Sequence, residues 1–143
     1  MIIPDVNVLI RAHNLDSPIH HQVLGWWEET LGRHRQVGLP WVSILGFIRI
    51  VTQRRLMHNP MLPSKAIRMV RSWLDEPRVE IIAPGEGHAE ILFRLLGELG
   101  VAGNLTTDAH LAALAIEYQA ELATTDPDFT RFKGLRWFNP LMR

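Results

Sequence analysis

Cysteine is absent from the 143 residues of this chain. The chain therefore has no disulfide framework, no thiolate zinc site and no cysteine nucleophile, and a reducing cytoplasm is its expected setting. A dominant charge is missing too, because 15 Lys and Arg residues balance 15 Asp and Glu residues. This balance excludes a strongly basic, non-specific nucleic-acid binder, while a local basic patch stays open.

Long hydrophobic runs are also missing. The longest stretch without a charged residue or histidine covers residues 36–48, well short of the roughly 18–20 apolar residues that a membrane span needs. The first residues carry no basic segment and soon reach Asp5, so no signal peptide is expected. With hydrophobic residues at 47% and charged residues at 21%, we expect one globular domain over residues 1–143, near the usual domain size of about 150 residues.

Short apolar runs alternate with amphipathic segments along the chain. The apolar runs predict strands over residues 1–3, 37–39, 79–83, 121–124 and 135–138, and the 3.6-residue patterns predict helices over 18–33, 43–55, 64–74, 91–99 and 104–118. Such alternation is typical of an α/β fold with a largely parallel sheet and right-handed crossovers. The five tryptophans are predicted to lie in the core or at an interface rather than to stack on bases.

Carboxylates follow two of the predicted strands. Asp5 follows the first strand after Pro4, Asp126 and Asp128 follow the fourth, and Asp108 lies in the first turn of the helix over 104–118. Ligands of open parallel sheets bind beyond the carboxyl ends of the strands, so neighbouring strands would bring these acids into one crevice. Two such charges about 4 Å apart repel by roughly 4 kcal/mol at an effective dielectric of 20. All-oxygen sites of this kind suit Mg²⁺ or Mn²⁺ and metal-assisted hydrolysis of a phosphodiester.

Each acid also has a simpler local explanation. Asp5 can cap a following helix, Asp108 sits at an ordinary first-turn position for an acid, and Asp126 with Asp128 can form a turn around Pro127. For any single acid the local role is the better interpretation. For the four acids together, which come from opposite ends of the chain, we favour a shared functional site.

Several segments, taken in order, resemble one family. Residues 3–9 (IPDVNVL), 104–112 (NLTTDAHLA) and 124–129 (TTDPDF), with 39–43 (LPWVS) and 47–52 (FIRIVT) between them, resemble PIN-domain proteins, and more narrowly the VapC-type ribonuclease toxins of toxin–antitoxin pairs. Each motif alone is weak, but the set covers essentially the whole chain.

The resemblance implies a three-layer α/β/α fold around a central, mostly parallel sheet. It implies Mg²⁺- or Mn²⁺-dependent RNA cleavage that leaves a 5′-phosphate on the downstream product, a VapB-type antitoxin that blocks the site, and a homodimer. By position, the resemblance assigns metal-binding acids to Asp5, Asp108 and Asp126, an additional catalytic acid to Asp128, and orienting polar residues to Asn7 and Thr125.

One position departs from the family pattern. Gly46 stands where the second acid of the family is commonly a glutamate. The glycine could let a water or substrate phosphate approach closely, or it could serve helix packing, and both readings stay open. Arg49, Arg54 and Arg55 are candidate RNA-binding residues because phosphate contacts dominate nucleic-acid affinity; a solvated helix end is their alternative.

Three other functions are alternatives to the nuclease. Without the second acid, a PIN fold could bind RNA or an antitoxin without cutting. A phosphatase of the haloacid-dehalogenase type would need an aspartate where Asn7 stands and a motif lysine, while the only lysines are Lys65 and Lys133. A receiver domain would need an aspartate at the end of a mid-chain strand, which the sequence lacks.

Overall fold

Five short strands and six α-helices alternate in the computed structural model, which describes residues 1–33 and 35–142. The strands are β1 (Ile2–Pro4), β2 (Val37–Pro40), β3 (Val79–Ile82), β4 (Glu121–Ala123) and β5 (Arg136–Phe138). The helices are α1 (Val6–His13), α2 (His20–Gly32), α3 (Trp41–Val51), α4 (Pro63–Leu74), α5 (His88–Leu99) and α6 (Thr106–Glu117). Within the described residues, no helix is long and apolar enough to cross a membrane.

The strands form one sheet in the order β3-β2-β1-β4-β5, and every neighbouring pair is parallel. The chain moves outward from β1 to β3, then crosses back through α5 and α6 to place β4 on the other side of β1. Strand order therefore reverses between β1 and β4. This is the switch point at which open parallel sheets bind their ligands.

Helices cover both faces of the sheet, which confirms the predicted three-layer fold. One face packs against α1 to α4 through a core that includes Trp27, Phe47 and Trp73. The other face packs against α5 and α6, where the buried alanines at positions 109, 112, 113 and 115 let α6 lie close to the strands. Because successive strand residues point to opposite faces, Ile2 and Ile3 of β1 serve different cores.

The predicted boundaries of the helix over 43–55 are wrong at both ends. The helix begins at Trp41, because Pro40 ends β2 in extended geometry and acts as the N-cap residue. Ser43 does not cap it; its buried hydroxyl donates instead to the carbonyl of Pro4, at 3.0 Å. At the other end, the helix stops at Val51, and residues 54–56 form a turn.

The tryptophans divide between the core and the surface. Trp27 and Trp73 are buried and meet edge to face, with ring centroids 5.8 Å apart, as the amphipathic pattern predicts. Trp41, at the start of α3, is 53% exposed. Within this chain it is therefore not a core residue.

Candidate active site

Asp5 links the end of β1 to the start of α1. Its backbone N–H donates to the carbonyl of Ala123, the last residue of β4, at 2.9 Å. Its Oδ1 accepts the N–H of Val6 at 2.7 Å, so it is also the N-cap of α1. The local capping role and the placement at the switch point thus belong to the same side chain.

Thr124 is the residue around which this strand end is organised. Its buried Oγ1 donates to Oδ2 of Asp5 at 2.8 Å and accepts from Nδ2 of Asn7 at 3.2 Å and from the backbone N–H of Asp126 at 3.1 Å. One donor and two acceptors are the full capacity of a hydroxyl. The hydroxyl is therefore saturated, and its direction is fixed.

Thr125 takes part in this network through its backbone, and the orienting role predicted for it stays a prediction. Thr125 contributes its backbone N–H, which donates to Oδ1 of Asn7 at 3.3 Å, while the hydroxyl that contacts the acid belongs to Thr124. Thr124 is not among the predicted site residues, because the apolar pattern places it at the end of a strand. A hydroxyl at the carboxyl end of a buried strand, two residues before an acid, is the signal that could have found it. Asn7 links the start of α1 to the end of β4 through hydrogen bonds to Thr124 and Thr125, and its role in orienting the acids stays a prediction.

Asp126 and Asp128 lie in the turn after β4. Asp126 caps a short 3₁₀ helix, Pro127–Arg131, and its Oδ1 accepts the N–H of Asp128 at 2.9 Å. The turn expected around Pro127 is therefore present. Asp126 is half-buried and Asp128 is exposed.

Asp108 reaches the same region from the other face of the sheet. It lies in the first turn of α6, where the helix dipole favours a carboxylate. Among residues 1–33 and 35–142, none donates a hydrogen bond to its side chain. Its carboxylate is thus available to a ligand, whereas both oxygens of Asp5 already accept hydrogen bonds.

The carboxylates are close enough to perturb one another. Burial raises the pKa of Asp5 to about 6, against the hydrogen bonds from Thr124 and Val6, and the negative charges of Asp108 and Asp126 add to the rise. Burial also raises the pKa of Asp108, and the charges of Asp126 and Asp128 raise it further. Without a cation, the folded chain therefore opposes full ionisation of this cluster.

A cleft of about 390 Å³ opens beside the carboxylates, between the start of α6 and the exposed side of α3. Asp5, Asp108 and Ser43 line it, and apolar residues such as Val42 and Leu45 form much of its wall. Of the three candidate RNA-binding arginines, Arg49 lines the cleft. Arg54 and Arg55 lie in the exposed turn after α3 and do not line it.

Gly46 has a clear packing reason. A Cβ atom at this position would lie 2.7 Å from Cγ2 of Val6, and the β-branched Val6 has little rotamer freedom in a helix. The glycine thus lets α3 lie against the first turn of α1. Gly46 also lines the cleft, so the other interpretation of this glycine, close approach by a ligand, stays a prediction.

The donor chemistry of the cluster fits a hard divalent cation. Asp5, Asp108 and Asp126 supply only oxygens. The raised pKa values of Asp5 and Asp108, to which the charge of Asp126 contributes, call for positive charge. Within the described chain, no three His, Asp or Glu side chains converge tightly enough to hold an ion in this conformation. Mg²⁺ requires less than that, since one or two carboxylates with several waters commonly suffice.

Comparison with protein-family models finds the PIN domain over residues 2–135. "Ribonuclease VapC33" of Mycobacterium tuberculosis is 43% identical over 141 residues, covering 99% of each chain. "Ribonuclease VapC37" of the same organism is 41% identical and covers 98% of this chain and 97% of that protein.

Among solved structures, VapBC2 from Rickettsia felis, bound to a DNA fragment from its promoter, contains a similar chain. The TM-score is 0.71 at 19% identity, and the match covers 97% of this chain and 98% of that one. At this identity the likeness supports the fold alone.

Proposed function

The chain belongs to the PIN-domain family and, within it, to the VapC ribonucleases, and from this premise we propose that it is a metal-dependent endoribonuclease toxin. The proposed reaction is hydrolysis of RNA phosphodiester bonds, with the phosphate left on the 5′ end of the downstream product. The observation that carries the proposal is that Asp5 and Asp108 line one cleft at the switch point of the sheet, where the charge of Asp126 acts on both. The full-length similarity to proteins named ribonucleases supports the same reaction class.

Asp5, Asp108 and Asp126 would hold Mg²⁺ or Mn²⁺, and Asp128 would add negative charge beside them. When bound, the cation supplies water activation and stabilises charge on a phosphoryl oxygen. The protein's own contribution is positioning. Thr124 and Asn7 connect Asp5 to the turn that carries Asp126, so two acids from distant parts of the sequence keep one relative placement.

Arg49 supplies the only cation on the wall of the cleft, among the residues that the structure describes. Its guanidinium is suited to hold an RNA phosphate beside the acids, because arginine binds phosphate through a planar fork of donors. Arg54 and Arg55 are proposed as outer contacts to the RNA backbone. With zero formal net charge, the attraction of RNA is local, and added salt should weaken it.

We extend the proposal to partners. The solved VapBC2 assembly and the relatives' names support a VapB-type antitoxin that inhibits this chain. A homodimer acting in the cytoplasm completes the proposal and is testable by sedimentation of the purified protein.

The test is cleavage of structured RNA by purified protein with Mn²⁺, with Mg²⁺ and with EDTA. Asp5→Asn and Asp108→Asn should abolish cleavage. Asp75→Asn is the matched control, since it removes an exposed carboxylate at the end of α4 and should cut like the wild type. Mapping the RNA ends should show 5′-phosphates.

Cleavage that survives EDTA, or that persists in both site variants, would refute the proposal and point to a contaminating nuclease. RNA binding without cleavage in any divalent metal would instead favour the alternative function, a PIN fold that binds without cutting.

A further inference from the structure

Three exposed side chains form a row along α3. Trp41, Leu45 and Arg49 follow one another at four-residue intervals, so they lie on one face of the helix. The row is about 12 Å long, at about 1.5 Å per residue. Leu45 and Arg49 line the cleft that holds Asp5 and Asp108, and Trp41 lies one turn before Leu45. We call these three residues the α3 row.

The members of this row lack the partners that such side chains usually find. Trp41 is 53% and Leu45 59% exposed. Within the described residues, the indole of Trp41 contacts no other aromatic ring, and Arg49 forms no ion pair. An aromatic face, an apolar side chain and an unpaired guanidinium thus stand in line along α3, and the last two line the cleft of the candidate active site.

We propose that Trp41 stacks on an unpaired base of single-stranded RNA, about two helical turns along α3 from the phosphate held by Arg49 in the cleft. This inference rests on the proposed function and deepens it by naming the substrate class. Aromatic and guanidinium groups recognise RNA bases whose faces are not already stacked, as in loops and single strands. A continuous duplex keeps its base faces covered and offers the indole nothing to stack on.

A second copy of this chain fits the α3 row less well. On α3, Trp41, Leu45 and Arg49 are the exposed residues, and the remaining side chains are buried or half-buried. Two exposed apolar side chains supply far less than the roughly 800 Å² per partner that a stable interface needs. An interface here would also bury the guanidinium of Arg49, whereas RNA supplies the phosphate that pairs with it.

The test compares two fluorescent probes by anisotropy, using EDTA-treated protein so that neither probe is cut. One probe is an oligouridylate of about ten nucleotides, within the usual site size, and the other is an abasic oligonucleotide of the same length. Trp41→Ala should weaken binding of the oligouridylate by about 5-fold to 150-fold, the range expected for loss of one stacked base. It should leave binding of the abasic probe unchanged.

Matched variants separate stacking from other effects. Trp41→Phe should retain most of the affinity, and Trp41→Leu, which keeps apolar bulk without an aromatic face, should lose it. Phe93→Ala removes another exposed aromatic ring, on α5 and outside the cleft, and should bind both probes normally. Arg49→Ala should weaken both probes, because it removes a phosphate contact.

Equal loss of both probes in Trp41→Ala, or no loss of either, would overturn the stacking role while leaving the nuclease proposal intact. A change in sedimentation with unchanged RNA affinity would overturn it in favour of a self-interface. If wild-type protein binds neither probe and cuts no RNA, this inference and the proposed function both fail.

Discussion

Replacing Asp5 with asparagine should make the metal-free protein more stable at neutral pH, although the residue caps a helix and lies at the proposed catalytic centre. Asp5 is 8% exposed, and burial raises its pKa from 3.8 to about 6. Between these two values the folded state binds more protons than the unfolded state. The free energy of unfolding therefore falls as pH rises through this window and levels off above about pH 6.

The size of the effect follows from the shift itself. At about 1.4 kcal/mol per pKa unit, ionising Asp5 costs the folded state about 3 kcal/mol at pH 7.5. Near pH 4 the carboxyl of Asp5 is neutral, and an amide of the same shape is a close substitute. Asparagine can still accept the N–H of Val6 but cannot accept from Thr124 through its Nδ2, so the gain at neutral pH should be somewhat smaller than the full figure.

Urea unfolding in EDTA, followed by circular dichroism at several pH values between about 4 and 7.5, measures the free energy of unfolding of the variant and of the wild type. The stability difference between Asp5→Asn and the wild type should grow by about 2–3 kcal/mol over that range. Asp75→Asn, an exposed site, should differ from the wild type by less than about 0.5 kcal/mol throughout. Adding Mg²⁺ should raise the stability of the wild type and not that of Asp5→Asn.

A difference that stays flat with pH would refute the argument that the cluster resists ionisation. A variant that is several kcal/mol less stable at every pH would show that Asp5 acts chiefly through its hydrogen bonds. Either result would remove the electrostatic reason for placing a cation here.

Three further predictions concern single side chains. Gly46→Ala should destabilise the protein by about 1–3 kcal/mol in urea unfolding, because the new methyl group meets Val6. Adding Val6→Ala should recover part of this loss. As a control, Gly97→Ala, with open space at its Cβ, should stabilise the protein by about 0.5–1 kcal/mol. Thr124→Val should lower the free energy of unfolding by about 2 kcal/mol or more and abolish cleavage, because the hydroxyl makes three hydrogen bonds. Thr124→Ser keeps the hydroxyl and should retain both the stability and the cleavage of the wild type. Burial lowers the pKa of His13, so the contribution of His13 to stability should fall as pH drops below about 6.5, opposite in sign to that of Asp5. The melting temperature of His13→Gln relative to the wild type should therefore rise between pH 7.5 and 5.5, and an unchanged difference would contradict this.

The sequence predicted the parts of this fold that depend on regular patterns. Apolar runs and 3.6-residue periodicity identified the alternation of strands and helices, and the positions of Asp5 and Asp126 after two strands indicated that these acids would meet. The parallel pairing of β1 with β4 places the two strand ends that precede these acids side by side. The roles of the acids in metal binding and catalysis stay predictions.

Other features depend on contacts that no local pattern encodes. The start of α3 was misplaced because Ser43 is a good helix-capping residue by type, yet its hydroxyl bonds to Pro4 from a distant part of the chain. Thr124 was missed for a similar reason, since its three partners become visible only when β1 and β4 are side by side. The packing role of Gly46 likewise depends on where α1 crosses α3.

The hydrogen bond between Asp5 and Thr124 joins residues 119 positions apart, and this separation bears on how the protein is made. A growing chain on the ribosome has synthesised α1 to α6 before β4 exists to pair with β1. Until then Asp5 lacks both its hydroxyl donor and the acids of the final turn. The proposed nuclease therefore completes its acid cluster only when nearly all of the chain has been produced, and fragments that end before β4 lack both Thr124 and Asp126.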